Sequence, residues 1–247
     1  VMIKQAVILC AGLGTRLKPY TDTIHKVMIP ILGKPLLEWH IEHYKKHGVK
    51  EFFINLHYLP EVIKNHFRDG TKWGIKITYV FEPVILGTAG GIKNFEDWLE
   101  DAFHVQWGDT FSLVNYTKTS EFFFNHPDAI GIVRVGKMGY RPDVDLLELD
   151  ETGRIIKIHT KSHSEPIENV YSLRGSMIFK KRILSYVPPM GTYYEVGKQL
   201  LSDIIVKGEK FYGYECEEYS KGIDTVEKWR EVEENLKDIL EKERAAA

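Results

Sequence analysis

The sequence has few cysteines, no long apolar run and no excess of charge of one sign. Cys10 and Cys216 are its only cysteines, and they lie far apart without the spacing of metal ligands, which favours a reducing compartment. No apolar run approaches the roughly 20 residues that a membrane helix needs, and the first residues lack the apolar segment of a secretion signal. These absences predict a cytoplasmic protein with no membrane partner.

Acidic and basic residues nearly cancel, since 33 lysines and arginines accompany 35 aspartates and glutamates for a formal net charge of -2. The basic residues are scattered along the chain rather than gathered in one stripe, so nucleic acid is not an expected partner. With 43% hydrophobic residues in a chain of 247, the protein can bury a core of its own. We therefore expect a small ligand.

Short apolar runs alternate with helix-period segments in the first half of the chain, with strands predicted at residues 6–9, 51–56, 75–80 and 103–106. This alternation predicts an α/β fold, a Rossmann-like, mainly parallel sheet flanked by helices. From residue 129 the pattern changes to hairpin strands at 130–135, 146–149 and 155–159, which we interpret as a β-rich insertion on the substrate side. An amphipathic helix closes the chain. Ligands of such sheets bind at the carboxyl ends of the strands.

The segment "LCAGLGTRLKPYTDTIHK", residues 9–26, places a glycine-rich loop directly after the first strand. Glycines let backbone N–H groups approach a phosphate. The dinucleotide fingerprint is excluded because Leu17 occupies the place of its third glycine, and the P-loop is excluded because no Gly-Lys-Ser/Thr follows. Arg16 and Lys26 add two cations to the loop, which favours a polyanionic ligand.

The stretch "AGLGTRLKPYTDTIHKVMIPILGKPLLEW" closely resembles the signature of the sugar-1-phosphate nucleotidyltransferases, the nucleoside-diphosphate-sugar pyrophosphorylases. The resemblance continues in "EPVILGTAGGIKN" from Glu82 and in "WGDTF" from Trp107. It covers nearly the whole chain and is similar to short stand-alone members. It implies the nucleotide-diphospho-sugar transferase fold, as a single domain over residues 2–244. The nucleotide-binding part is expected at about 2–125, and the sugar-phosphate-binding part at about 126–244.

The reaction that the resemblance implies belongs to the EC 2.7.7 class and serves nucleotide-sugar and polysaccharide biosynthesis. A sugar 1-phosphate oxygen attacks the α-phosphorus of a nucleoside triphosphate, and pyrophosphate leaves. No protein nucleophile is needed, because the protein positions two polyanions and neutralises their charge together with Mg²⁺, the implied cofactor.

The resemblance also implies roles for individual residues. Arg16, Lys26, Asp109 and Asp224 form the implied catalytic set, in which the two cations bind phosphates and the two carboxylates hold Mg²⁺. The implied nucleotide-binding residues are Ala11, Gly12, Gly14, Thr15, Glu82, Gly87 and Thr88. The implied sugar-phosphate-binding residues are Lys161, Gly175 and Glu195.

Some of these residues also have a purely structural interpretation. An aspartate just before a helix, such as Asp224, is often the N-cap or a neighbour of the N-cap, and Thr88 is a credible helix cap as well. Gly175 is also typical of a glycine at a β-bulge in a strand.

The sequence departs from the family pattern at three places. His25 replaces the usual proline before the lysine, and activity is expected to survive that change. Trp107 replaces an asparagine, which leaves open whether it contacts substrate. Thr160 replaces a sugar-binding glutamate, for which Glu195 and Glu165 are the candidate substitutes.

The base and the sugar are left open, although the resemblance leans towards GTP. One alternative is a cytidylyl- or uridylyltransferase that acts on another sugar or on a non-sugar phosphate such as choline phosphate. Another is a nucleotide-sugar-binding regulator without catalysis, which the retention of all four charged residues argues against. Homo-oligomerisation is left open too.

Overall fold

The computed structural model describes residues 2–139, 141, 144–161 and 166–246. Its strands are β1 (Gln5–Cys10), β2 (Pro30–Ile31), β3 (Lys34–Pro35), β4 (Glu51–Leu56), β5 (Lys76–Phe81), β6 (Ala102–Trp107), β7 (Thr110–Ser112), β8 (Ala129–Met138), β9 (Leu146–Leu149), β10 (Ile155–His159), β11 (Val170–Lys180), β12 (Lys210–Glu215) and β13 (Ser220–Gly222). Its helices are α1 (Leu36–Lys46), α2 (Pro60–Phe67), α3 (Gly87–Lys93), α4 (Tyr116–Phe124), α5 (Leu201–Val206) and α6 (Val226–Ala246).

A nine-stranded sheet organises the molecule, and its path runs β10-β9-β11-β6-β1-β4-β5. β1 pairs in parallel with both β4 and β6, and β4 pairs in parallel with β5. These are the four strands that the sequence alternation predicts, and helices connect them as in crossover units. The mainly parallel, Rossmann-like part of the fold prediction is confirmed.

The strands of the second half extend the same sheet rather than forming a separate one. β11 is the link, because it pairs antiparallel with β6 on one edge and with β8 on the other, and β12 joins β8. The predicted hairpin of β9 and β10 is present and contacts β11 through Tyr171. The register of β11 against β8 shifts between Leu173 and Met177, and Gly175 lies in that bulge with a φ of 76°.

Helices cover both faces of the parallel strands, because successive side chains of a strand point to opposite faces. In β1, Val7 belongs to the buried cluster that includes residues of α3 and α5, whereas Ala6 and Ile8 belong to the cluster with residues of α1 and α2. α6 packs elsewhere, on a third cluster that includes Leu17 of the glycine-rich loop and Phe111 of β7. The C-terminal helix therefore lies beside the loop that follows β1.

α4 is a helix that the sequence pattern did not predict. Its residues YTKTSEFFF are rich in aromatic and β-branched types, which favour strands. The helix forms because the Asn115 side chain accepts the Lys118 N–H at 3.1 Å as an N-cap, and because Tyr116 stacks on Tyr44 of α1 with 3.8 Å between ring centroids. No helix in the described part of the chain combines the length and apolarity needed to cross a membrane.

Candidate active site

A cavity of about 760 Å³ opens at the carboxyl ends of β1, β4 and β6, where an α/β sheet binds its ligands. All the predicted site residues except Glu82 and Gly175 line it. Residues from both halves of the chain therefore meet at one place. The cavity is open to solvent rather than enclosed.

The glycine-rich loop forms one wall of the cavity, and its two glycines differ in what the fold requires of them. Gly14 has a φ of 65°, and a Cβ there would lie 3.0 Å from Thr21 Cγ2 and 3.1 Å from Lys26 Cβ. A Cβ at Gly12 would meet nothing within 4 Å. Folding thus needs a glycine at position 14 but not at position 12, where the absent side chain leaves the backbone open to a ligand.

Lys26 and Asp109 form an ion pair inside the cavity, with 2.6 Å between Nζ and Oδ2. Lys26 is only 8% exposed and begins the short helical turn Lys26–Met28, whose N-cap His25 accepts the Val27 N–H through Nδ1 at 3.2 Å. His25 therefore fixes the backbone where the family uses proline. Burial, and to a lesser degree the charge of Lys26, lowers the pKa of His25 to about 4, so the ring is a neutral acceptor at pH 7.

The β-ladder between β7 and β13 brings Asp224 next to Asp109, although the two are far apart in sequence. Gly222 pairs with Thr110, and the Ile223 N–H donates to the Asp109 carbonyl at 2.8 Å. Asp109 directly precedes β7, and Asp224 follows β13 after one intervening residue, Ile223. Both aspartates line the cavity, and each is already paired with a cation.

Asp224 is held by two cations, Arg16 at 2.7 Å from Oδ2 and Lys228 at 2.7 Å from Oδ1. The N-cap of α6 is Thr225, whose hydroxyl accepts the Lys228 N–H at 3.3 Å, so Asp224 is the neighbour of the N-cap rather than the N-cap itself. Burial alone would raise the pKa of Asp224, but Lys228, Arg16 and Lys26 outweigh it and lower that pKa below its usual value. Asp224 is therefore ionised at neutral pH.

The donor set suits a hard cation that keeps much of its own water. No group of three or more histidine, cysteine, aspartate or glutamate side chains suited to a metal occurs among the residues that the structure describes. Asp109 and Asp224 supply two carboxylates to the cavity, which fits Mg²⁺ because that ion completes its shell with phosphate oxygens and water. The same set would not suit a structural Zn²⁺ site.

Thr88 and Glu195 join the two sides of the cavity. The Thr88 hydroxyl donates to Glu195 Oε2 at 2.8 Å and accepts the Val196 N–H at 2.8 Å, while Tyr193 donates to Glu195 Oε1 at 2.6 Å. The helix-cap interpretation of Thr88 is wrong, because α3 has Leu86 at its N-cap position with no side-chain cap. Glu165, the other candidate for the sugar-binding role, lies outside the described residues.

Glu82 lies behind the cavity wall and is only 1% exposed. Its Oε1 accepts from Asn55 Nδ2 at 2.8 Å and its Oε2 accepts the Leu86 N–H at 3.1 Å, so it holds the loop before α3. Asn55 in turn accepts the Cys10 N–H at 2.8 Å. These contacts connect the loop after β1 to the loop after β5. Glu82 therefore supports the cavity wall from behind.

Gly175 also lies off the cavity, where a Cβ would come within 3.0 Å of Thr110 Oγ1. The bulge at Gly175 therefore lets β11 approach the start of β7, next to Asp109.

The sequence did not point to four residues that the structure places at the site. Asn55, Asp145 and Lys198 line the cavity, and Lys228 pairs with Asp224. Asn55 could have been found as a polar residue near the end of an apolar strand, and Lys228 by its spacing of four from Asp224 on a helix. Asp145 accepts the Lys161 N–H at 2.8 Å and belongs to no motif. Trp107 lines the cavity as well.

Buried neutral histidines are expected to make the protein sensitive to mild acid. Burial lowers the pKa of His40 to about 4 and that of His104 to about 3 from 6.5 in each case. The unfolded chain binds protons below about pH 6.5 while these folded histidines do not, so the free energy of unfolding falls as pH drops, by about 1.4 kcal/mol per unit for each histidine. Urea unfolding between about pH 7 and pH 5 measures this slope.

His104→Phe should reduce the dependence of the free energy of unfolding on pH, because it removes one buried histidine. An unchanged slope in this variant would contradict the assignment of the acid sensitivity to buried histidines.

The chain matches a family model and several known proteins. A family model described as Nucleotidyl transferase matches residues 5–243. The chain is 32% identical over 222 residues to the UTP–glucose-1-phosphate uridylyltransferase of Synechocystis, which covers 84% of this chain and 57% of that protein. It is 46% identical over 114 residues to the D-glycero-alpha-D-manno-heptose 1-phosphate guanylyltransferase of Campylobacter jejuni, which covers 46% of this chain and 51% of that protein.

A solved structure, that of HddC from Yersinia pseudotuberculosis, matches with a TM-score of 0.77 at 25% identity and covers 95% of this chain and 100% of that one. The chain spans little more than half the length of the two curated relatives. The family model, in contrast, runs from β1 into α6 and contains every residue that lines the cavity. The chain therefore belongs to the nucleotidyl transferase family.

Proposed function

We propose that this protein transfers a nucleotidyl group from a nucleoside triphosphate to a sugar 1-phosphate and releases pyrophosphate. The observation that carries the proposal is the pairing of Lys26 with Asp109 beside Arg16 with Asp224, at the open glycine-rich loop. A site that only binds a neutral sugar has no use for two cations paired with two carboxylates. The curated relatives, named as transferases of this type, support the same reaction.

The charged pairs suggest how the site receives its substrates. Phosphate oxygens compete with Asp109 and Asp224 for the side chains of Lys26 and Arg16, and the N–H groups of the glycine-rich loop bind the rest of the triphosphate. Asp109 and Asp224 would then be free to hold Mg²⁺, whose charge would offset the repulsion between the two anionic substrates. Arg16 is the more exposed of the two cations, since 69% of its side chain is exposed against 10% for Lys26.

The reaction is a direct displacement at the α-phosphorus. An oxygen of the acceptor phosphate forms the new bond to phosphorus, and the bond from the α-phosphorus to the bridging oxygen breaks with its electron pair leaving on pyrophosphate. Lys26 and Arg16 neutralise charge on the group being transferred and on the group that leaves. On the other side of the cavity, Lys161 binds the acceptor phosphate and Glu195 accepts hydrogen bonds from sugar hydroxyls.

For the triphosphate we propose GTP. The support is the 46% identity to a guanylyltransferase over 114 residues, to be weighed against the longer match to a uridylyltransferase at 32%. The glycine-rich loop and the charged pairs act on phosphates, which all triphosphates share. The base must therefore be chosen by other contacts in the cavity.

An assay of pyrophosphate release tests the proposed reaction, and the thermal stability of the protein with each triphosphate tests which base it prefers. We expect release with Mg²⁺, one triphosphate and one of glucose, mannose or heptose 1-phosphate, and none without the acceptor. The preferred triphosphate, at 100 times its dissociation constant, should add about 2.7 kcal/mol to the free energy of unfolding. Stabilisation without pyrophosphate release for any acceptor would indicate a binding protein instead. If no triphosphate stabilises the protein, the proposal is wrong.

A further inference from the structure

The turn 107–110, which joins β6 to β7 and carries Asp109, is held from beneath by buried side chains. Gln106 Nε2 donates to the carbonyls of Trp107 and Thr110 at 3.0 and 3.2 Å. His40 Nε2 donates to the Gly108 carbonyl at 3.2 Å, since a carbonyl can only accept. With the Ile223 N–H on the Asp109 carbonyl at 2.8 Å, all four carbonyls of the turn have a donor.

The orientation of the Gln106 amide is fixed by three hydroxyl groups. Those of Ser176, Tyr116 and Tyr44 donate to its Oε1 at 2.7, 3.1 and 3.3 Å. Because hydroxyl donors select the oxygen end of the amide, the nitrogen end must face the turn. Gln106 is fully buried, and both of its N–H groups are used on carbonyls of the turn.

A role in folding alone does not account for this arrangement. Phe103 and Val105, on the same strand, fill buried positions of β6 with apolar side chains, and an apolar residue at position 106 would avoid the cost of burying an amide. The buried polar atoms instead converge on the four residues around Asp109. The turn also has little room to move, because a Cβ at Gly108 would lie 2.6 Å from the Leu9 carbonyl.

We propose that Gln106 and His40 are positioning residues for Asp109. They hold the backbone of the turn 107–110 so that the Asp109 carboxylate stays beside Asp224 and within reach of Lys26. The inference rests on the proposed function, in which that carboxylate holds Mg²⁺ and releases Lys26 to the phosphates. Neither residue touches a substrate, and both act through the turn.

The test compares Gln106→Met with Ser176→Ala. The first variant loses both contacts with the turn, whereas the second removes one of the hydroxyls and leaves those contacts in place. Loss of a partner that orients a metal ligand costs about 10–100-fold in metal affinity or activity. We expect a change of that size in kcat, and in the Mg²⁺ concentration for half-maximal activity, for Gln106→Met. Ser176→Ala should stay within about twofold, even where both variants lower the melting temperature.

A second readout needs neither metal nor turnover. Hydrogen exchange of the Ile223 and Gly108 amides in the metal-free protein should speed up at least tenfold in Gln106→Met relative to Ser176→Ala, beyond any change in global stability. His40→Phe should act in the same direction, with His104→Phe as its control. His104 is an equally buried histidine that packs against Tyr44 and Tyr116 instead of the turn.

These outcomes separate the inference from the proposed function. If the unmodified protein releases no pyrophosphate, the proposed function fails, and faster exchange in the variants still shows that the side chains hold the turn. If the protein is active and both Gln106→Met and His40→Phe match their controls in exchange and in Mg²⁺ dependence, the positioning role is wrong. Should Gln106→Met not fold, the pair of His40→Phe and His104→Phe decides the question alone.

Discussion

Lys26→Met is expected to lower the rate of pyrophosphate release by roughly a few hundredfold, because a charge contact made in the transition state is worth about 3 to 4 kcal/mol. Lys26 donates to Asp109 at 2.6 Å and lies at the base of the glycine-rich loop. There its ammonium group can exchange the Asp109 carboxylate for a phosphate oxygen as its partner. Methionine keeps much of the buried stem of the side chain. The loss should therefore fall mainly on kcat, as measured by pyrophosphate release at saturating substrate.

The matched control is Lys18→Met, on the same segment. Lys18 also pairs with an aspartate, Asp22 at 3.2 Å, but both side chains are about half exposed and lie outside the cavity. Surface pairs of this kind contribute little to stability, so the control should keep both its activity and its melting temperature. If Lys26→Met loses no more activity than Lys18→Met, the role of the glycine-rich loop in phosphate binding is wrong.

Arg16 and Lys26 are expected to differ in what they contribute to the stability of the fold. An exposed cation would contribute little to folding, and Arg16 fits that description, but Lys26 is buried and its ammonium group is held by Asp109. Some loss of stability in Lys26→Met is therefore expected from the unpaired Asp109. Because the Asp109 side chain is 41% exposed, water can replace part of the lost contact. The loss of activity should exceed the loss of stability.

The parallel strands and the amphipathic helices were predictable because the spacing of apolar residues within each segment indicates them. The run Glu51–Leu56 is apolar at four of its six positions, and β4 has those same bounds. The hairpin strands β9 and β10 also match their predicted ranges. α4 was missed because an N-cap and a ring stack, rather than helix-forming residues, stabilise it. Tertiary contacts of that kind leave no periodic pattern in the sequence.

Within the site, the residues of ordered motifs were predictable and their supports were not. The glycine-rich loop and "WGDTF" could be placed because they follow strands at one edge of the sheet. Asn55, Lys228 and Gln106 act through partners that are distant in sequence or belong to no motif, so each becomes visible only as a contact. Glu82 was predicted to bind the nucleotide, whereas the structure buries it behind the wall of the cavity.

Asp109→Asn and Asp224→Asn are each expected to abolish most of the activity, and the double variant should be scarcely worse than either one. The reason is that both carboxylates are proposed to hold one Mg²⁺, so removing one ligand already removes most of what the pair supplies. Independent roles would instead give losses that multiply. The measurement is the rate of pyrophosphate release across a range of Mg²⁺ concentrations for four proteins: the unmodified protein, the two single variants and the double variant.

The Mg²⁺ dependence distinguishes a metal role from a role in the ion pairs. Both asparagine variants should need more Mg²⁺ for half-maximal rate, whereas Asp22→Asn, which weakens an exposed pair in the same region, should not. Asp224→Asn also leaves Arg16 and Lys228 without their carboxylate, so a lower melting temperature is expected in addition. If Asp224→Asn melts early but keeps the normal Mg²⁺ dependence, Asp224 serves to hold Arg16 and α6, and the second ligand of the metal lies elsewhere.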